Sequence, residues 1–226
     1  MQINFFKFSE KQISRLKKNI VAQFSSHSLL IIGQLFFPPL MILIWGVDNF
    51  GIWIFLISVP AMLNFFNFNF TQATVQEMTH FHTKGQVNKV KEIFQNSLVI
   101  LMLNVLIFTI VILIFYFFSN FNLSAIENLP VNEFNIILLL LILSFYLDII
   151  GNGIMANVLQ FQGKLYIEIY INNALDFISK LSIILTGIFF ESLIYAALLF
   201  FIISILKSII FIYYYYLNKI YLVFSL

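Results

Sequence analysis

The sequence predicts an all-α integral membrane protein, a bundle of six transmembrane helices, and three observations carry that prediction. The 226 residues are 61% hydrophobic and 10% charged, against roughly 45 to 50% and about 25% in an ordinary soluble domain. With a mean hydropathy of +0.97 and 29 Phe, that much apolar surface does not fit inside one water-soluble core. The charges are also clustered. None lies between Lys18 and Asp48, between Asp48 and Glu77, or between Glu92 and Glu127, and each gap is long enough to cross the hydrocarbon. Continuous apolar runs replace the period-two alternation of a membrane barrel, so the spans are helices that satisfy their own backbone groups.

Residues 1–19 read as a basic amphipathic cytoplasmic segment. Lys7, Lys11, Arg15 and Lys18 recur at helical spacing, and Ile13, Leu16 and Ile20 form another stripe. Such a segment either lies flat on an anionic leaflet or serves only to set topology. No signal-peptide exit site follows it, so the first span is retained. Spans are expected near 22–46, 52–74 and 95–118, with turns at Gly46–Gly51 and around Gly85. The pair Pro38-Pro39 is expected to distort the first. Three more spans, near 136–158, 168–190 and 192–217, complete a bundle over 20–219, and 220–226 is a short apolar tail.

Placing both termini in the cytoplasm puts Lys7, Lys11, Arg15, Lys17, Lys18, Lys84, Lys89, Lys91, Lys164 and Lys219 inside. The outside loops then hold only Asp48, Glu127, Glu133 and Glu191. This matches the positive-inside rule at every short loop, and Trp45, Trp53 and Tyr213 to Tyr216 fall at the interfaces where amphipathic rings belong.

Four ions fall within the apolar spans: Asp148, Asp176, Lys180 and Lys207. Each costs roughly 2.5 to 3.5 kcal/mol to insert, so each wants a partner or a cavity. Ser144, Asp148, Gly151 and Asn152 make one polar stripe, and Asn173, Asp176 and Lys180 another. Asp176 and Lys180 stand in the order that favours an intrahelical pair. The cluster is either a cation-coupling site, part of a pathway for an anionic group, or a self-neutralising pair that locks helices together. Lys207, nearer the inner surface, is expected to snorkel to the headgroups. In the first two spans His27, Gln34, Asn64 and Asn67, beside Pro38, Pro39 and Pro60, are candidate lining of a solute pathway.

Several classes are disfavoured. The charge balance of 12 Lys+Arg against 10 Asp+Glu gives no reason to expect nucleic acid, and there is no Cys for disulfides or thiolate chemistry. His27 has no acidic partner in its span, and His80 and His82 point to different helix faces, so neither makes a metal site. No Walker cradle, His-Glu-x-x-His or Gly-x-Ser-x-Gly element is found, and neither an enzyme nor a cofactor is expected.

A basic amphipathic start, a span closed by Pro-Pro and the turn Gly46-Val-Asp-Asn-Phe-Gly-Ile-Trp53 together resemble the N-terminal region of the O-antigen and polysaccharide flippases. These belong to the multidrug/oligosaccharidyl-lipid/polysaccharide exporter superfamily. The stretch from Asn67 to Glu77 stands where that family carries an acidic-x-Gly element, but Asn67 and Asn69 replace the acid and the Gly, and Gln76 replaces a basic residue. The resemblance, over about residues 12–217, implies one lobe of a two-lobed exporter fold in a bacterial inner membrane. It implies a transporter that flips an undecaprenyl-pyrophosphate-linked oligosaccharide, an O-antigen or capsule repeat unit for lipopolysaccharide or capsule biosynthesis, by alternating access. Membrane lipids are its surroundings, and a second six-helix bundle or polysaccharide assembly proteins are its expected partners. On that reading Lys180 and Lys207 attract the pyrophosphate, and Asp148 or Asp176 binds a coupling cation. The alternatives are a drug or metabolite cation antiporter of the same superfamily and an inactive truncated remnant.

Overall fold

The computed structural model describes residues 10–118 and 130–217, and within them the side chains other than those of 11, 62–71, 112–118, 131, 150, 152–157 and 215–217. The chain is helical almost throughout: α1 (Glu10–Thr83), α2 (Val87–Phe118), α3 (Val131–Phe161), α4 (Leu165–Phe190) and α5 (Leu193–Leu217). All five helices are long and apolar enough to cross a membrane. Their outward faces carry Phe24, Leu43, Met102, Phe189 and many other large apolar side chains. In water such a belt would be an aggregation surface, whereas hydrocarbon solvates it.

The 74 residues of α1 would reach about 110 Å if straight. They do not run straight, because Gly46 adopts φ 77, ψ 169, a backbone region open essentially to Gly alone. The break divides α1 into a first limb, 10–45, and a second, 47–83, and the second runs back beside the first. Both ends of α1 therefore meet the turn between α3 and α4. Arg15 Nη1 donates to the Gln162 carbonyl at 3.1 Å, and Asn19 Oδ1 accepts from the Tyr166 backbone N–H at 2.9 Å. At the other end Gln160 Nε2 donates to Gln72 Oε1 at 3.3 Å, and Met78 packs with Val90, Phe94 and Val158. Beside the break the Trp45 and Trp53 rings meet edge to face, 5.6 Å apart.

The main core lies at the Gly46 end, where Met41, Trp45, Trp53 and Leu56 pack on Ile137 and Leu141 of α3, Ile183 of α4 and Ala196 and Ala197 of α5. Gly187 lets α4 approach here, since a Cβ on it would overlap the Trp45 indole. At the opposite end Leu159 of α3 and Phe211 of α5 close on Ile167 and Ile171 of α4. Connections are short: Gly85 and Gly163 turn with φ of 73 and 69, and Glu191 caps α4 in the left-handed region with its N–H on the Thr186 carbonyl.

Three expectations change. Pro38, Pro39 and Pro60 lie inside continuous helix, and Gly46 is the one interior residue of α1 with a non-helical backbone. The prolines lose donors but keep a helical φ, which neighbouring helices in a membrane tolerate. The reversal is made at Gly46 rather than spread over Gly46–Gly51. Residues 10–19 are not a separate segment but continue the helix of the first limb. Arg15 and Asn19 are held by the α3–α4 turn, and Lys18 Nζ sits 5.5 Å from the Tyr166 ring centre. Lys7, Glu127, Lys219 and the 220–226 tail lie outside the described residues.

Replacing Gly46 by Val forces a β-branched residue to positive φ and is expected to cost about 1 to 3 kcal/mol. At about 2 to 4 °C per kcal/mol for a chain of this length, thermal unfolding of purified protein should fall by several degrees. Gly51→Ala, where an added Cβ meets nothing within 4 Å, should not lower the transition and should raise it slightly, since Ala favours helix over Gly.

Candidate functional site

Two features stand out in the apolar bundle, a buried ion triad and a groove with a free ammonium. The triad centres on Lys207, which is 6% exposed. Its Nζ lies 3.5 Å from Asp148 Oδ1 and 3.4 Å from Asp176 Oδ1. It donates a hydrogen bond to Asp176, while the contact with Asp148 is an ion pair without hydrogen-bond alignment. One residue from each of α3, α4 and α5 thus meets at a point. Helix packing permits this approach: Gly151 of α3 sits against Ser208 of α5, whose Oγ would lie 3.2 Å from an added Cβ, and Ser208 Oγ donates to the Leu147 carbonyl.

This geometry corrects two expectations. Lys207 does not snorkel, because two carboxylates within 4 Å offer its ammonium more than the distant headgroups can. Asp176 does not pair with Lys180 four residues along, because it is drawn to the more deeply buried cation. Asp148 and Asp176 are brought together as the polar stripes implied, but around Lys207, and Lys180 stands apart.

Lys180 instead lies in a groove of about 550 Å³ between the first limb of α1 and α4. Its ammonium rests over Gly33, where a Cβ would come within 2.8 Å of Nζ. Below it, Ser26 Oγ donates to Asn173 Oδ1 at 2.9 Å, and the Asp176 side chain, 61% exposed, opens to the same groove. Leu29, Phe36, Phe37 and Leu181 form apolar walls. Among the described residues no carboxylate pairs with Lys180. The groove therefore offers one free positive charge, a short polar ladder and apolar sides.

His27 and Gln34 are exposed and do not line this groove. At 100° per residue they fall, with Gln23, on a face of the first limb turned well away from Ser26 and Gly33. Asn64, Asn67 and Asn152 have side chains outside the described set. Among the described residues no three His, Asp or Glu side chains converge as a metal centre.

Glu168, at the start of the span expected near 168–190, is not among the four ions that the sequence singles out. It is 9% exposed, and its Oε2 has no hydrogen-bond partner. The available signal was spacing, since Glu168, Asn172 and Asp176 recur every four residues along one face of α4. Ser26, one of the polar residues of the first span, does line the groove, whereas Gly33 was missed, because a Gly signals nothing until a neighbouring helix leans on it.

No family model, no curated protein and no solved structure matches this chain.

Removing Lys207 alone leaves Asp148 without its counter-charge in the bundle. Lys207→Met is expected to destabilise the protein by about 3 to 5 kcal/mol, whereas the triple variant with Asp148→Asn and Asp176→Asn should recover most of that loss. Thermal unfolding of the two proteins side by side makes the comparison.

Proposed function

We propose that the chain is a transporter of an amphiphile that carries an anionic group, and specifically a flippase for an undecaprenyl-pyrophosphate-linked oligosaccharide in a bacterial inner membrane. The supporting observation is the unpaired Lys180 ammonium in a groove with apolar walls at the bundle surface. A free cation in hydrocarbon is costly, and an anion that passes along the groove would compensate it. The apolar sides suit the lipid part of the same molecule, and Lys180 lies about 22 Å along α4 from its start at Leu165, near the middle of the crossing.

On this reading the two limbs of α1 and helices α2 to α5 make six spans with both termini cytoplasmic. They form one lobe, and the α3–α4 turn faces the cytoplasm. Lys207 contributes to the substrate route only indirectly, by holding Asp176 away from Lys180. The lining role first given to His27 and Gln34 becomes a surface on the first limb. Two amides and an imidazole there would need polar contact from a second bundle or an assembly protein, which would close a cavity over the groove. The bundle carries out no chemistry of its own.

A second reading rests on Asp176, whose carboxylate opens to the same groove. It favours an organic cation, as in a drug or metabolite antiporter. Lys180 separates the two readings, because it attracts the anionic lipid and repels the cation.

Charge removal tests the proposal. In a flippase-deficient strain complemented with the chain, alone or with a candidate second bundle, Lys180→Gln is expected to lower surface polysaccharide about tenfold or more at matched protein level, and Lys180→Arg to retain most of it. Gly33→Val, which displaces the ammonium, should imitate Lys180→Gln. Normal export by Lys180→Gln would remove the basis of the reading, and increased export of a cationic dye by the same variant would favour the antiporter.

A further inference from the structure

We propose that the hollow between the second limb of α1 and α2 binds a phosphoethanolamine unit, carried as the headgroup of an ethanolamine phospholipid. The hollow measures about 430 Å³, a volume common among small-ligand sites. Two antiparallel helix faces build it. Ala73, Glu77 and Phe81 recur every four residues on the limb, and Lys89, Glu92, Asn96 and Ile100 share one face of α2. Beside it Met78, Val90 and Phe94 pack together and hold the two helices in place.

The lining is graded along the helices. Glu77, Lys89 and Glu92 lie toward the Gly85 turn, and Ala73 and Ile100 lie at the far end, about 16 Å away along α2. Charges of both signs are present but not paired with one another. Among the described residues neither carboxylate forms an ion pair, and Lys89 Nζ rests 5.0 Å from the Phe81 ring centre instead. A ligand that itself carries both signs compensates all three groups. A primary ammonium has three N–H donors for the Glu77 and Glu92 carboxylates, and the phosphodiester beside it takes Lys89 and the Asn96 amide. Lys89 disfavours a bare metal cation, and the two carboxylates disfavour a purely anionic headgroup. A choline headgroup matches the charges but has no N–H to donate. At the far end Ile100 is exposed on the bundle surface, where hydrocarbon solvates it and the acyl chains of the same lipid would run.

The hollow shares no residue with the Lys180 groove, and its test requires no transport, so the two readings fail separately. Purified full-length protein in detergent is titrated with ethanolamine, choline and glycerol phospholipids of identical acyl chains, and bound lipid is counted by native mass spectrometry. Ionic strength is held low and constant, because exposed charges are screened. The wild type is expected to bind the ethanolamine lipid about fivefold more tightly than the choline lipid. The double variant Glu77→Gln/Glu92→Gln should bind the two equally. Lys89→Gln should weaken both by about threefold and leave their ratio unchanged. Asp48→Asn, which removes an exposed carboxylate at the Gly46 end, should keep the full preference. A wild type without the preference, a double variant that retains it, a Lys89→Gln protein that binds as the wild type does, or an Asp48→Asn protein that loses the preference would overturn the proposal. Soluble glycerophosphoethanolamine that binds as tightly as the lipid would overturn the assignment to a phospholipid.

Discussion

A buried ammonium group is costly without a counter-charge, and the part of this bundle near Lys207 is arranged around that constraint. Lys207 on α5 draws Asp148 from α3 and Asp176 from α4 to within 4 Å, which fixes the rotation of three helices relative to one another. Apolar packing alone would not do so, because lipid tails solvate Leu, Ile and Phe as well as another helix does. Once Asp176 is committed to Lys207, Lys180 has no carboxylate partner among the described residues and rests over Gly33. The free charge that gives the groove its chemistry is thus a consequence of the pairing next to it.

The second organising element is the reversal at Gly46. It brings Arg15 and Asn19 from one end of α1, and Gln72 and Met78 from the other, to the same turn between α3 and α4. It also places Trp45 and Trp53 at the opposite end, where α3, α4 and α5 close the main core. The stretch Gln12–Ala61 is the least enclosed of the long apolar segments, and the first limb within it forms one wall of the groove. A wall with few neighbours is well placed either to admit a lipid from the side or to receive another bundle.

Much of the fold was legible in the sequence because it follows from hydropathy and charge spacing. The spans expected near 168–190 and 192–217 lie close to Leu165–Phe190 and Leu193–Leu217, and the one near 136–158 falls within Val131–Phe161. What the sequence could not show was which helix leans on which. Pro38-Pro39 reads as the natural place for a break, yet the break is at Gly46, because helix φ suits proline and positive φ suits glycine. The i,i+4 order of Asp176 and Lys180 is a local rule, and it lost to a long-range demand from Lys207, 31 residues away. His27 and Gln34 were chosen for polarity, whereas the groove selects the face of the first limb that carries Ser26 and Gly33. Glu168 stands in the first turn of α4, and only the packing of Leu159 and Phe211 around that level shows it buried.

Because α1 doubles back, residues 84–89 and the α3–α4 turn lie at one end of the bundle and the Gly46 reversal at the other, so a membrane around the bundle would separate them. The chain has no Cys, so single replacements Asp48→Cys, Lys89→Cys and Lys164→Cys report sidedness directly with a membrane-impermeant thiol reagent. Asp48→Cys is expected to be labelled in intact cells, while Lys89→Cys and Lys164→Cys are expected to be labelled only after the membrane is opened. Labelling of Asp48→Cys and Lys89→Cys from the same side would contradict that separation.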